Sequence, residues 1–208
     1  MKRAFSLAFA ALLLSSGLAE AGTFAVSFDA GLRAMSNSPE TEKAIFGEKR
    51  GTGAGLGVSY DRNSRWRFAV DFRRVSREGQ RAFAIDRNSE AFQLGHPLKF
   101  NLTEGVASAS FLIGQIGPIS PYLTLGVGRA SWKEESNIAG LIEKSDGSAT
   151  LFEARLGIER QQGPIRLGIE GGLTMIPNSV GVGGISKVYE ETDIGGLFVV
   201  MKIGFAKR

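Results

Sequence analysis

The imidazole and thiol side chains most used as base and nucleophile are nearly missing from this 208-residue chain. There is one histidine, His96, in Gly95-His96-Pro97, and cysteine is absent. A serine nucleophile needs a positioned base such as histidine, but Gly-His-Pro reads first as a turn. Glu134, Glu135 and Asp193 could share a hydrolytic site only if the fold gathered them, and acids in loops ordinarily carry solvated charge. No metal-ligand spacing occurs, and Gly181 to Gly184 follow no strand-to-helix pattern of a phosphate-binding loop. The chain is therefore read as non-enzymatic, with no catalytic residue, no metal and no cofactor.

What remains is charge without an obvious reaction. A formal net charge of +4 and a pI near 9.5 suit a nucleic-acid partner in principle. Lys and Arg are scattered among nearly as many acids, however, and no basic stripe with interleaved aromatics appears, so nucleic acid is not expected. The elements that position the charges decide their meaning.

Lys2 and Arg3 precede an apolar run from Ala4 to Leu14, and Ser15, Ser16 and Gly17 lead to Ala19-Glu20-Ala21, a small-x-small cleavage pattern. Residues 1–21 are expected to be a signal peptide and 22–208 one mature domain. The run is about half the roughly 20 residues a spanning helix needs. The chain is 43% hydrophobic, yet no later segment is long and apolar enough for a membrane helix. That leaves a soluble exported protein or a barrel.

Period-two alternation recurs along the mature chain, and helical periodicity is absent. Phe24, Val26, Phe28, Ala30 and Leu32 oppose Thr23, Ser27, Asp29, Gly31 and Arg33. Ala54 to Tyr60 alternate with Gly53, Gly55, Gly57 and Ser59; Trp66, Phe68, Val70 and Phe72 with Arg65, Arg67, Asp71 and Arg73. A fourth strand falls within Leu102 to Ile113 with open register. Leu123, Leu125 and Val127 mark a fifth, Phe152 to Ile158 a sixth, Ile165 to Met175 a seventh and Leu197 to Phe205 an eighth. Short turns at 61–64, 115–118 and 161–164 alternate with long polar connections at about 37–52, 76–99, 133–148 and 178–195. This rhythm predicts an all-β, eight-stranded antiparallel up-and-down transmembrane β-barrel. A hairpin within Arg81 to Gln93, around Asp86-Arg87-Asn88-Ser89, either extends the barrel or raises the count to ten strands.

Alternation alone leaves open whether the apolar face lines a soluble, lipocalin-like pocket or meets lipid. The polar faces are dense in glycine, 28 in all, which suits long charged side chains packed in a narrow interior and would only weaken a solvated strand. Tyr60, Trp66 and Tyr122 fall beside short turns, where interfacial aromatics would sit. The last strand ends in alternating apolar residues and Phe205. With these features the mature chain resembles the small outer-membrane β-barrel family, the OmpA/OmpX-type transmembrane domains and porin-like surface antigens. The strand opening Pro121-Tyr122-Leu123-Thr124-Leu125-Gly126-Val127-Gly128 belongs to the same resemblance. It implies the outer membrane of a Gram-negative-type bacterium, contact with lipid and lipopolysaccharide, and delivery by the barrel-assembly machinery through the strand ending at Phe205. Some barrels of this size modify lipid A with a serine–histidine pair, but no Ser stands at the one-residue spacing from His96 used by the known deacylase pattern.

On this orientation Asp29, Arg33, Arg67, Asp71, Arg73, Glu153, Arg155, Glu159, Arg166, Glu170 and Lys202 point into the barrel. Eight strands enclose only enough space for side chains, so these groups are expected to pair as a plug. A narrow ion path through them, a small low-conductance porin, is the alternative. In the second long connection, Arg74, Arg77, Arg81, Arg87 and Lys99 outnumber the acids, and arginine suits bidentate contact with lipopolysaccharide phosphate. The function expected is structural or surface-interacting, with four external loops whose partner the sequence does not name.

Overall fold

The computed structural model describes residues 22–47, 50–84, 89–177, 189 and 191–207. The expected signal peptide lies outside the described residues. Eight strands form a closed ring of neighbours in chain order: β1 Thr23–Arg33, β2 Gly51–Asp61, β3 Trp66–Phe83, β4 Phe92–Leu112, β5 Ser120–Ile138, β6 Leu141–Gln162, β7 Ile165–Met175 and β8 Gly196–Lys207. All pairings are antiparallel, and β1 closes on β8 with Val26 opposite Phe205 and Asp29 opposite Lys202. A ring leaves no unpaired strand edge.

The apolar face points outward. Phe24, Phe28, Leu56, Phe72, Leu125, Leu156 and Met201 are exposed, while Asp29, Asp71, Arg155 and Glu170 between them are buried. From Leu197 to Phe205 the outward row of β8 is apolar throughout. At about 3.3 Å per residue and ~40° tilt this belt stands roughly 20 Å tall. In β4 Phe111, Ala109 and Ala107 face out and Ser110, Ser108 and Val106 face in, which fixes the register the sequence leaves open.

Two of the four long connections are strand. β3 and β4 stay paired up to Phe83–Phe92, with one register shift between Gln80 and Ala82. The hairpin extends the barrel, so the strand count is eight; Asp86, Arg87 and Asn88 at its tip lie outside the described residues. β5 and β6 stay paired to Ile138–Leu141 around Ala139-Gly140, both left-handed at φ 50° and 91°. Such a pair makes the two-residue turn whose twist matches its strands. β3 to β6 thus run 18 to 22 residues, whereas β1, β2 and β7 have 11 and β8 has 12. The result is a four-stranded wall rising on one side of the ring.

The connection after β1 contains a helix, α1, Pro39–Phe46, where a polar connection without helical periodicity is expected. Eight residues are too few to display a period, but the start signals are present: Pro39 in the first turn with Glu40 and Glu42 beside the positive helix end.

The polar interior explains the glycines of β2. A Cβ on Gly57 would lie 2.2 Å from Asp71 Oδ1, and one on Gly55 2.5 Å from Arg73 Cγ. The bare strand gives way to the long side chains of β3.

Candidate functional site

The charged interior is built in three tiers from the short-turn end. Lowest, Arg67 donates from Nε to Asp61 at 2.6 Å and through both terminal nitrogens to Glu159 at 2.6 and 2.7 Å. Arg166 joins from β7 through Asp61 and Gln161. In the middle, Arg155 is the hub, at 2.9 Å from both Glu170 and Asp71 and 2.8 Å from Glu153. Tyr122 donates its hydroxyl to Glu170 at 2.7 Å, and Lys202 lies 3.4 Å from Glu170 and 3.5 Å from Asp71. Uppermost, Arg73 pairs with Glu153, and Arg33 pairs with Glu104 and donates to Thr174. Asp29 faces Gly55 across β2 and stands in register with Lys202 on β8.

Such groups survive burial by meeting opposite charge, and all of them do so within 4 Å except Asp29, which is buried without an ion pair among the described residues. Where a carboxylate takes two or three donors, removing one leaves the others without balance. A cavity of about 30 Å³ remains at the short-turn end, lined by Ser27, Ser59, Arg67, Tyr122, Glu159 and Arg166 among others.

Above the third tier the same inward rows turn apolar. Val75, Leu98, Phe100, Leu102, Trp132 and Leu151 form a core with Met35, Ile176 and Ile194, covered by Ile45 and Phe46 of α1. The Phe46 and Phe100 rings are 6.3 Å apart. Arg77 fixes the helix from beneath, donating to Glu42 at 2.8 Å with its guanidinium 4.1 Å from the Phe46 ring centroid. The segment before β8 fixes it from the side: Thr41 N–H donates to Glu191, and Asn37 and Ser38 donate to Asp193. The helix sits in the mouth of the ring.

All eleven residues read from the sequence as interior charges face inward, Lys202 having the most exposed side chain of those in ion pairs at 20%. The reading omits Glu104, Asp61 and Tyr122. Tyr122 corrects the interfacial assignment: it is 3% exposed and lies inside the ring. Its parity, one before outward Leu123, puts it on the row of Thr124 and Gly126. Glu104 likewise continues the inward row of Val106 and Ser108, and Asp61 that of Gly57 and Ser59. Tyr60 and Trp66 lie on the outer face near the short turns, packed on Phe24 and Phe111 at 4.8 and 5.3 Å.

The basic residues separate. Arg74 and Lys99 face outward, Lys99 within 3.4 Å of Glu78. Arg81 donates to Glu143 at 2.7 Å. Arg77 is buried on the inner face, which removes it from any lipid contact, and Arg87 lies outside the described residues. His96 sits in the irregular stretch of β4 beside Gly95, φ 74°. The three acids do not gather. Glu134 is buried, Glu135 lies 3.2 Å from Lys144, and Asp193 accepts the backbone N–H of Ile176 and of Gly195.

No family model matches the sequence, and no curated protein matches it. Solved structures do resemble it. Neisserial surface protein A is 16% identical over 90% of this chain and 98% of its own, with a TM-score of 0.52. Ail, the attachment invasion locus protein of Yersinia pestis, solved with the heparin analogue sucrose octasulfate, is 15% identical over 90% and 100%, TM-score 0.53. A major outer membrane protein from Thermus thermophilus is 9% identical over 90% and 100%, TM-score 0.53. At these identities the likeness is one of fold, and it agrees with the outward apolar belt: the chain has the fold of an eight-stranded outer-membrane β-barrel.

Proposed function

We propose that this chain is a non-catalytic protein of a bacterial outer membrane, with a structural and surface-interaction role. The observation that carries the reading is the filled interior: three tiers of paired charges, then an apolar core, then a helix across the mouth. A barrel so filled presents its outside and its upper wall, rather than a passage. Residues 1–21 direct export and are cleaved, and β8, which runs past the expected end at Phe205 to Lys207 and exposes the Phe205 ring on the outer face, is offered to the barrel-assembly machinery. Tyr60 and Trp66 anchor the lower lipid interface. Lipopolysaccharide lies against the upper belt edge, where Arg74 and Lys99 face out.

Fractionation combined with a heat-modifiability gel tests the membrane reading. Outer-membrane recovery and a mobility shift on boiling are expected; a soluble periplasmic protein without a shift overturns it. Planar-bilayer recordings on refolded protein test the filled interior. Silence is expected, and reproducible unitary channels would establish the low-conductance porin instead.

A further inference from the structure

The upper edge of the apolar belt is not uniform. On β3 and β5 the apolar belt ends at Phe72 and Val127, and the next outward positions are Arg74 and Arg129. Between them β4 presents Gly105, Thr103 and Asn101. The register joins these positions: Arg74 is opposite Thr103, Arg129 opposite Gly105, and Lys133 opposite Asn101. Arg74 reaches along β4 until its guanidinium lies 3.5 Å from the Asn101 side-chain oxygen, beside the strand position that Lys133 faces. Arg129 donates to Ser148 on β6 at 2.5 Å.

The neighbouring cations of the wall are paired. Lys99 lies 3.4 Å from Glu78, Lys144 3.2 Å from Glu135, and Arg81 2.7 Å from Glu143. Among the described residues, no carboxylate lies within 4 Å of the charged nitrogens of Arg74, Arg129 or Lys133, although Asp146 stands opposite Lys133 in register. The cluster is confined to one sector. The outward rows of β1, β7 and β8 end in Leu32, Met175 and Leu197 with no basic residue next to them on the outer face.

We infer that Arg74, Arg129 and Lys133 form a binding site for the phosphate of an outer-leaflet glycolipid. This rests on the membrane orientation proposed above and deepens it. Guanidinium forks and an ammonium suit phosphate, whose several oxygens accept charge-assisted hydrogen bonds at once. The height decides its source: the cations stand just above the belt, where headgroups meet water. Acyl chains would lie on Phe72 and Val127 below, and sugar hydroxyls would meet Thr103, Asn101 and Ser131 above. The cations of the opposite edge, Arg62, Arg65 and Arg160, stand at the short-turn end and take no part in this site.

Native mass spectrometry of the purified full chain in detergent, with bis-phosphorylated lipid A as probe, tests the site. The triple variant R74Q/R129Q/K133Q should retain the lipid roughly ten-fold less than the unaltered chain, a difference of about one decade in Kd. Dephosphorylated lipid A should be retained as weakly, and R62Q/R160Q should bind normally. The boiling shift on gels verifies that each variant is folded. Equal retention by the triple variant, equal retention of dephosphorylated lipid, or an equal loss in R62Q/R160Q overturns the inference. Displacement by millimolar inorganic phosphate overturns the lipid source. Because this readout uses purified protein, it stands apart from fractionation, which alone decides the membrane assignment.

Discussion

The lower and upper halves of the interior solve one packing problem with opposite chemistry. Below, Arg155 and its partners Asp71, Glu153 and Glu170 fill the ring with charge, while lipid-facing side chains such as Phe72 and Leu156 are apolar. Above, Leu98, Phe100 and Leu102 fill it with hydrocarbon, while Lys99, Asn101 and Thr103 face out. β4 passes through both regimes without a break in parity. The surroundings change, from lipid to water, and the preferred residue on each face changes with them. From Leu98 to Leu112 the side chains follow the medium outside the wall and the inside takes the complement, whereas at the tips of the wall Phe83, Phe92, Leu141 and Ile142 are exposed.

The charged half is where substitution should cost the barrel most. Arg155→Ala leaves three carboxylates around an empty centre, and a loss of about 4 kcal/mol in urea unfolding of the refolded protein is expected. An unchanged midpoint would mean that the tiers do not hold the barrel together. Phe100→Ala opens the apolar half and should cost about 3 kcal/mol by the same measurement, with Arg155→Ala and Phe100→Ala additive if the halves are independent. Tyr122→Phe keeps the ring and removes one donor from Glu170, for a loss of about 2 kcal/mol; no change would return Tyr122 to a passive role. Arg77→Gln sharpens the boundary. It should lower global stability by only about 1 kcal/mol, since Asn37, Ser38 and Thr41 still hold α1, but raise hydrogen exchange in residues 39–46.

This division also explains what is legible in the sequence alone. Alternation predicts the eight strands, and the glycine-dense polar faces turn the apolar rows outward, because only a narrow interior needs bare backbone beside long charged side chains. The same parity places Asp71, Arg155 and Glu170 on the inner rows. It does not by itself reveal that apolar changes from outside to inside above Arg74, so residues 133–148 read as a polar connection although β5 and β6 continue through them, and within 76–99 only the hairpin of Arg81 to Gln93 is legible as strand. Tyr122 is misread for a related reason: its chemistry suggests an interface, while its parity points inward. The helix α1 is invisible to periodicity at eight residues, and its place in the mouth depends on contacts with Arg77, Glu191 and Asp193 that are remote in the chain.

The seam between β1 and β8 has a kinetic consequence. Each other pairing in the ring joins strands that follow one another, so the chain can form it locally as a hairpin. The seam joins the first described strand to the last and requires the longest loop closure in the molecule. Folding order is thereby constrained: the wall from β1 to β7 can zip before β8 arrives, but the cylinder is sealed only at the end. Until then β1 carries an open edge that pairs only when β8 has been added.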